Sequence, residues 1–457
     1  MWIHNQQLYE NFSSLEVYLA LRKISSGNCC TYEDFMGAIQ IILLAFCLAL
    51  SQLQANEVVR QLVQEKQYAS LGTFLRDTTL SYDELQYIAE EIHFQPLLDS
   101  IQAARKIYAQ ENNLGIKPND LLQVALFITT ELEAQLPTHT YLTPEMTGLQ
   151  DVIEFDPTTG YTFIVLDRYK EAYLGKGKKK KVHKAILFDV NTPEIVARAV
   201  QKTSMGAELE MLKLLQGAPG LVATRAITTR AYKEKSITTM YFKLYDPGGL
   251  SVDFFQKNTF SLYEKASIAL SLLTGLESLH SRNLIHRDLH RRNYLIKIPE
   301  EPKGMRNVDI VIADFGRTID IPRAVGLPYQ GSSLFCPPEG LLMENPKSDD
   351  YFASDIYAVG CMLYRFFHNK IPSWQGEYLR DSKQFSKKSM QRMLIKKLRE
   401  HTDDRFKTLT RLKSTNKLSD RQQLEHLILR MVQKDPRKRG TATLLRQEAE
   451  QIKDRLS

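Results

Sequence analysis

The chain has 457 residues, 43% of them hydrophobic and 25% charged, with a net charge of +7. That length argues for two or three domains, and the balance for a globular protein with at least one large core. So mild a charge gives no reason to expect a nucleic-acid partner. The five cysteines (Cys29, Cys30, Cys47, Cys336 and Cys361) include no Cys-x-x-Cys pair. Their odd number reads as a reduced, cytoplasmic chain without a disulfide framework or zinc site. The opening MWIHNQQLYENFSS lacks the basic-then-apolar pattern of a signal peptide.

Residues 1–150 read as an all-helical domain of unknown role. Phe35–Leu53 carries no charge, and Ile41–Leu50 is uninterruptedly apolar. A membrane-spanning helix needs about 20 predominantly apolar residues. This segment reaches that length only by including Gln40, Ser51 and Gln52. It is therefore read as a buried helix, with membrane association through 35–53 as the alternative. Apolar residues recur at helical spacing in Glu57–Gln67, Tyr82–Ile101 and Asp120–Leu136. Asn119 or Asp120 is the expected cap of the last helix.

Near Thr140 the pattern changes. Asp156-Pro-Thr-Thr-Gly160 predicts a turn, and the β-branched and aromatic run Tyr161–Leu166 a strand. Extended segments dominate to about residue 246. After Ser251 the pattern is mostly helical, with an amphipathic helix over Leu262–Ser281 and a short apolar strand over Val308–Ala313. A small strand-rich lobe before a larger helical lobe is an α+β arrangement.

Chemistry concentrates in the second lobe. Leu284-Ile-His-Arg-Asp-Leu-His-Arg-Arg-Asn293 offers a carboxylate, Asp288, with a side-chain amide five residues on, Asn293. In phosphoryl transfer a carboxylate orients the attacking hydroxyl and accepts its proton, and an amide oxygen can ligate a metal held on the phosphates. In Val311-Ile-Ala-Asp-Phe-Gly316, an apolar strand ends in a second carboxylate, Asp314, suited to hold Mg2+. His-Arg-Asp with Asn five on, followed by Asp-Phe-Gly, is a specific combination.

On these residues, the region from about 160 to 455 resembles a eukaryotic-type protein kinase. The resemblance implies a bilobal catalytic domain over 160–455, ATP and Mg2+ as cofactors, and protein substrates. It extends to Gly331-Ser-Ser-Leu-Phe-Cys-Pro-Pro-Glu339, to Asp355-Ile-Tyr-Ala-Val-Gly360 and to Asp435-Pro-Arg-Lys-Arg-Gly-Thr-Ala442. By resemblance Glu339 pairs with Arg439 and Asp355 braces the catalytic loop, all three as scaffold. Gly331-Ser332 resembles the Gly-Thr of serine/threonine kinases, which would set the Ser332 hydroxyl near Asp288. Those enzymes usually carry Lys two residues after the catalytic Asp, where this chain has His290. Arg287 would sit where an ordered activation segment could bind it, and Thr318, Tyr329, Ser332 and Ser333 are the hydroxyls of that segment.

The nucleotide-binding lobe is less regular. Leu174-Gly-Lys-Gly-Lys-Lys-Lys-Lys-Val-His-Lys-Ala185 resembles the glycine-rich loop, with Gly175 and Gly177 letting backbone approach phosphates. The third glycine is replaced by Lys180. Aligning Glu194–Lys202 on the family's Val-Ala-x-Lys strand puts Ala199 where the phosphate-binding lysine belongs. Lys202 is nearby, and the lysine-shifted kinases supply the charge from the position that Lys180 occupies. Lys180 and Lys202 stand level as candidates, with Lys184 third. Glu208, on the predicted helix Ala207–Gln216, is the expected partner carboxylate. The basic stretch between Tyr378 and Arg411 reads as a solvated helix face.

Overall fold

The computed structural model describes residues 54–136, 140–177, 180–201, 206–232, 235–250, 252–299, 305–327, 335–341, 348–369, 396 and 403–457. Phe35–Leu53, Lys202 and Ser332 lie outside the described residues. The chain divides into two compact units, Met1–Glu171 with Ile186–Glu194, and Ala172–Ala185 with Ile195–Ser457.

In the first unit residues 54–64 form helix α1, followed by α2 (Tyr68–Asp77), α3 (Tyr82–Glu91), α4 (Gln95–Gln110) and α5 (Pro118–Thr130). Leu71, Leu75, Leu85, Ile88, Leu97 and Leu122 interlock as their core. The continuous helix expected over Tyr82–Ile101 is two helices. His93 adopts φ 53° between them, and Pro96 enters α4 in its first turn, where no backbone N–H is needed. Helix α5 likewise opens on Pro118 after Lys117. Asn119 is therefore not the cap, and its amide instead donates to Thr78 O at 2.9 Å. Strands β1 (Tyr141–Leu142), β2 (Val152–Asp156) and β3 (Tyr161–Val165) follow as an antiparallel meander. Its expected turn is closed by Gly160 at φ 75°.

The second unit opens with strands β4 (Tyr173–Lys176), β5 (Lys180–Phe188), β6 (Glu194–Gln201), β7 (Thr224–Tyr232) and β8 (Lys235–Lys243). They run in the order β5-β6-β8-β7, with β4 paired to β5. Helix α6 (Gly206–Leu214) interrupts this sheet. A helical part follows, built on α7 (Leu262–His280), α8 (Ser348–His368), α9 (Asp404–Lys413), α10 (Asp420–Met431) and α11 (Ala442–Asp454). The fold is thus α+β, with an all-helical region at 54–135 ahead of it. Leu272, Leu276, Leu279, Tyr357, Leu427 and Met431 belong to its core. Gly220 and Gly275 let the loop before β7 press against α7: a Cβ on Gly220 would lie 2.3 Å from Gly275 N. No helix among the described residues is long and apolar enough to cross a membrane.

One buried cation ties the helical part together. Arg439 is 0% exposed. Its Nη1 and Nη2 lie 2.7 and 2.8 Å from the two Glu339 oxygens. The remaining donors reach Ala353 O, Lys434 O and Gln433 O. All five guanidinium hydrogens are used, which offsets the cost of desolvation. Removing one partner leaves an unpaired buried charge. Arg439→Leu or Glu339→Gln should therefore lower unfolding free energy by about 3–5 kcal/mol in chemical denaturation. A loss below about 1 kcal/mol would class the pair with surface ion pairs.

Candidate active site

The loop His286–Asn293 is held from behind by Asp355, buried on α8. Its carboxylate accepts the backbone N–H of His286 at 2.7 Å and of Arg287 at 3.1 Å. His286 is fully buried. Its Nδ1 accepts from Asp288 N at 3.3 Å and its Nε2 donates to Ala313 O at 3.1 Å. That pattern fixes a neutral ring with its hydrogen on Nε2. The same imidazole thus registers Asp288 and the residue preceding Asp314. Asn293 donates Nδ2 to Asp288 O at 2.8 Å, which leaves its amide oxygen available. Strands β9 (Tyr294–Lys297) and β10 (Asp309–Ile312) pair antiparallel, carrying Asn293 and Asp314 at their adjoining ends. The long connection between those residues falls between the strands.

Arg287 and Asp314 adopt left-handed backbone, φ 64° and 65°. Such conformations in non-glycine residues cost about 1–3 kcal/mol and persist where surroundings over-determine them. Burial lowers the Arg287 pKa, against attraction to Tyr351 and Asp355, and repulsion from Arg317 adds to the lowering.

The sheet delivers a cation to this loop. Gly177 N donates to Lys180 O at 2.8 Å, closing the turn between β4 and β5. From the first position of β5, Lys180 pairs with Glu208 of α6. Its Nζ lies 3.7 Å from Asp314 Oδ1. Glu208 and Asp314 converge over Gly316, where a Cβ would lie 3.4 Å from an oxygen of each. Three segments distant in sequence therefore meet at one ammonium. Lys184 stands four residues, about 13 Å, further along β5. Ala199, at the alignment position of the missing lysine, is buried in the core. Added Cβ atoms on Gly175 and Gly177 would meet open space and Lys180 O at 3.8 Å respectively. Neither glycine is therefore demanded by crowding within the chain.

Asp288 is flanked on both sides. Arg317 Nε lies 3.3 Å from its Oδ2, and His290 Nε2 lies 4.0 Å from its Oδ1. Arg317 is the contact that the sequence reading missed. The signal was a cation directly after Asp-Phe-Gly. The Arg317 side chain remains 47% exposed. Thr318, one of the activation-segment hydroxyls, is buried; Tyr329, Ser332 and Ser333 lie outside the described residues.

The family description "Protein kinase domain" matches residues 170–449, more than half of the chain and all of the constellation above. The chain belongs to the protein kinase family. Similar proteins include calcium-dependent protein kinase 19 of Arabidopsis thaliana, 25% identical over 180 residues, 39% of this chain and 30% of that protein. Calcium-dependent protein kinase 14 of Oryza sativa subsp. japonica is 25% identical over 167 residues, 36% and 30% of the two chains. Serine/threonine-protein kinase PKH3 of Eremothecium gossypii is 30% identical over 140 residues, 29% and 18%. The matches thus span less than a third of each relative. Within the kinase fold, Asp288, Asn293, Asp314, Lys180 and Glu208 belong to one compact unit.

Burial lowers the His286 pKa below its ordinary value of 6.5, against the attraction of Asp355. The unfolded chain therefore binds this proton more readily than the folded one. Stability contributed by the neutral ring is present above about pH 6.5 and lost as pH falls. Thermal and urea unfolding from pH 7.5 to 5 should show that loss. His286→Asn should flatten the slope by up to about 1.4 kcal/mol per pH unit. Parallel slopes for the two proteins would remove His286 as its source.

Proposed function

We propose that residues 160–455 form an ATP- and Mg2+-dependent kinase domain acting on serine and threonine hydroxyls of protein substrates, preceded by a helical domain of unknown role over 1–150. The observation that carries this reading is the meeting of Lys180, Glu208 and Asp314. Three segments distant in sequence supply the cation and the carboxylates that phosphoryl transfer requires.

The residues fit the cofactors. The Asp314 side chain is 54% exposed, and with the free Asn293 oxygen it would hold Mg2+, a hard cation that prefers oxygen ligands and keeps several waters. Gly175 and Gly177 carry no side chain that would block backbone from phosphate. When bound, Mg-ATP supplies the transferable phosphoryl group. Lys180 would face the phosphates, oriented by Glu208. Asp288 would orient the acceptor hydroxyl and take its proton, in a loop held by Asp355 and His286. Ser332 would hydrogen-bond near Asp288. Lys202 is the second candidate for the phosphate contact. The cysteine pattern supports a cytoplasmic location.

The alternative is a catalytically silent, nucleotide-binding or scaffold module. Arg317 on the Asp288 carboxylate favours it, since an acceptor hydroxyl must compete for the same oxygen.

Transfer from Mg-ATP to a generic protein acceptor separates the readings. Wild-type protein should phosphorylate serine or threonine, and Asp288→Asn should be slower by about 10²–10⁴-fold. Thermal stabilisation by Mg-ATP without any transfer would favour the silent module. Lys180→Met should weaken ATP binding or turnover while Lys202→Met leaves both near wild type, and the reverse result would move the assignment to Lys202. Arg317→Ala should lower the KM for the protein acceptor at unchanged ATP affinity. An unchanged KM would show that the ion pair does not compete with substrate.

A further inference from the structure

The first unit holds a pocket that phosphoryl transfer does not use. It encloses ≈ 350 Å³, counting the solvent at its mouth, between α2, the C-terminal half of α5 and the turn at Thr147–Leu149. Tyr68, Phe127 and Leu149 give it aromatic and apolar walls. Gly72 leaves room for Gln123: a Cβ there would lie 3.1 Å from Gln123 Cγ.

Two polar groups that line this pocket have no side-chain partner among the described residues. Gln123 is 5% exposed, and its amide makes no hydrogen bond among the described residues. That amide is not among the enclosed unpartnered atoms of the described residues; it lines the open pocket, where a ligand can reach it. Glu131, the C-cap of α5, likewise has no ion pair or side-chain hydrogen bond among the described residues. Burial raises its carboxyl pKa, and no basic group offsets that effect. Glu131 both closes α5 and caps the following turn Leu132–Gln135, so the two helix ends offset one another and the carboxylate itself carries the charge of the site.

The electrostatic deficit defines the ligand. The pocket offers a carboxylate, an amide oxygen and two aromatic rings, all of which attract a cation carrying N–H donors. A hard metal ion fits less well. Calcium takes 6–8 oxygen ligands, and among the described residues no three His, Cys, Asp or Glu side chains group to hold a metal. The recess is small and open to solvent, which suits the head group of one side chain rather than a larger ligand. We propose that this pocket binds a guanidinium or ammonium head on an apolar stem, gripped by Glu131 and Gln123 between Tyr68 and Phe127. This inference is independent of the kinase chemistry and gives the helical region a ligand of its own.

Calorimetric titration of the full chain tests it with three probes: agmatine, the capped peptide acetyl-Gly-Arg-Gly-amide, and the same peptide with neutral citrulline for arginine. Saturable binding of at least one cation is expected, with the citrulline peptide weaker by about tenfold or more, as for loss of a charge-assisted hydrogen bond. Glu131→Gln keeps the side-chain volume and should weaken the cation by a similar factor. Glu133→Gln, an exposed neighbour, should change nothing. Gln123→Leu should also weaken binding if its melting temperature stays near wild type; Glu131→Gln decides the matter otherwise. Binding of agmatine identifies a small free cation as an adequate ligand, and binding confined to the peptide identifies a basic side chain of a partner polypeptide. Both uphold the site. No saturable binding of either cation, equal binding of citrulline, or undiminished binding by Glu131→Gln would overturn it.

Discussion

A single buried carboxylate, that of Asp355, sets the geometry of the loop His286–Asn293. It accepts consecutive backbone N–H groups from His286 and Arg287, which fixes the chain direction just before Asp288. His286 carries the constraint onward, from the Asp288 N–H to the Ala313 carbonyl. Asp288 and Asp314 therefore share one rigid reference, anchored on the long helix α8. The buried Arg439–Glu339 pair fastens Glu339 to the same helix through Ala353 O. Both carboxylates are paired with donors, as buried charge requires.

The sheet-rich part solves a different problem. It brings a positive charge to the carboxylates of Glu208 and Asp314, while Ala199 on β6 is buried in the core. Lys180 does so from the start of β5, beside the turn closed by Gly177. The turn and the cation are thus parts of one hairpin. Glu208 steadies the ammonium, and Gly316 gives the converging carboxylates room. Arg317 on the opposite side makes Asp288 a shared acceptor, so charge balance at the site changes when that guanidinium moves.

Much of this was legible in the sequence because local chemistry and spacing carry it. The strand–turn–strand at Val152–Val165 and the helix at Leu262–His280 follow from period and turn residues. The split of Tyr82–Ile101 into two helices was signalled by Pro96, which lacks an amide hydrogen, but the apolar periodicity runs through the break and masks it. The cap of α5 was misread for a related reason. Asn119 is a good cap by type, yet Pro118 had already opened the helix, and Asn119 found its partner in Thr78 across the unit.

By itself the sequence determined the family, the order of the candidate site residues and the helical character of the region before them, because these depend on residue type at fixed spacing. Spacing cannot say which of several lysines reaches a carboxylate from a distant segment, since that depends on where a strand begins and which way a helix faces it. Only the tertiary structure decided that Lys180 meets Glu208 and Asp314, that Arg317 lies against Asp288, and that Gln123 and Glu131 share one pocket. The stretch His286–Asn293 was readable from its letters. Its alignment with Asp314 was decided by the fold, because Asp355 and the neutral His286 ring bridge segments that the chain separates.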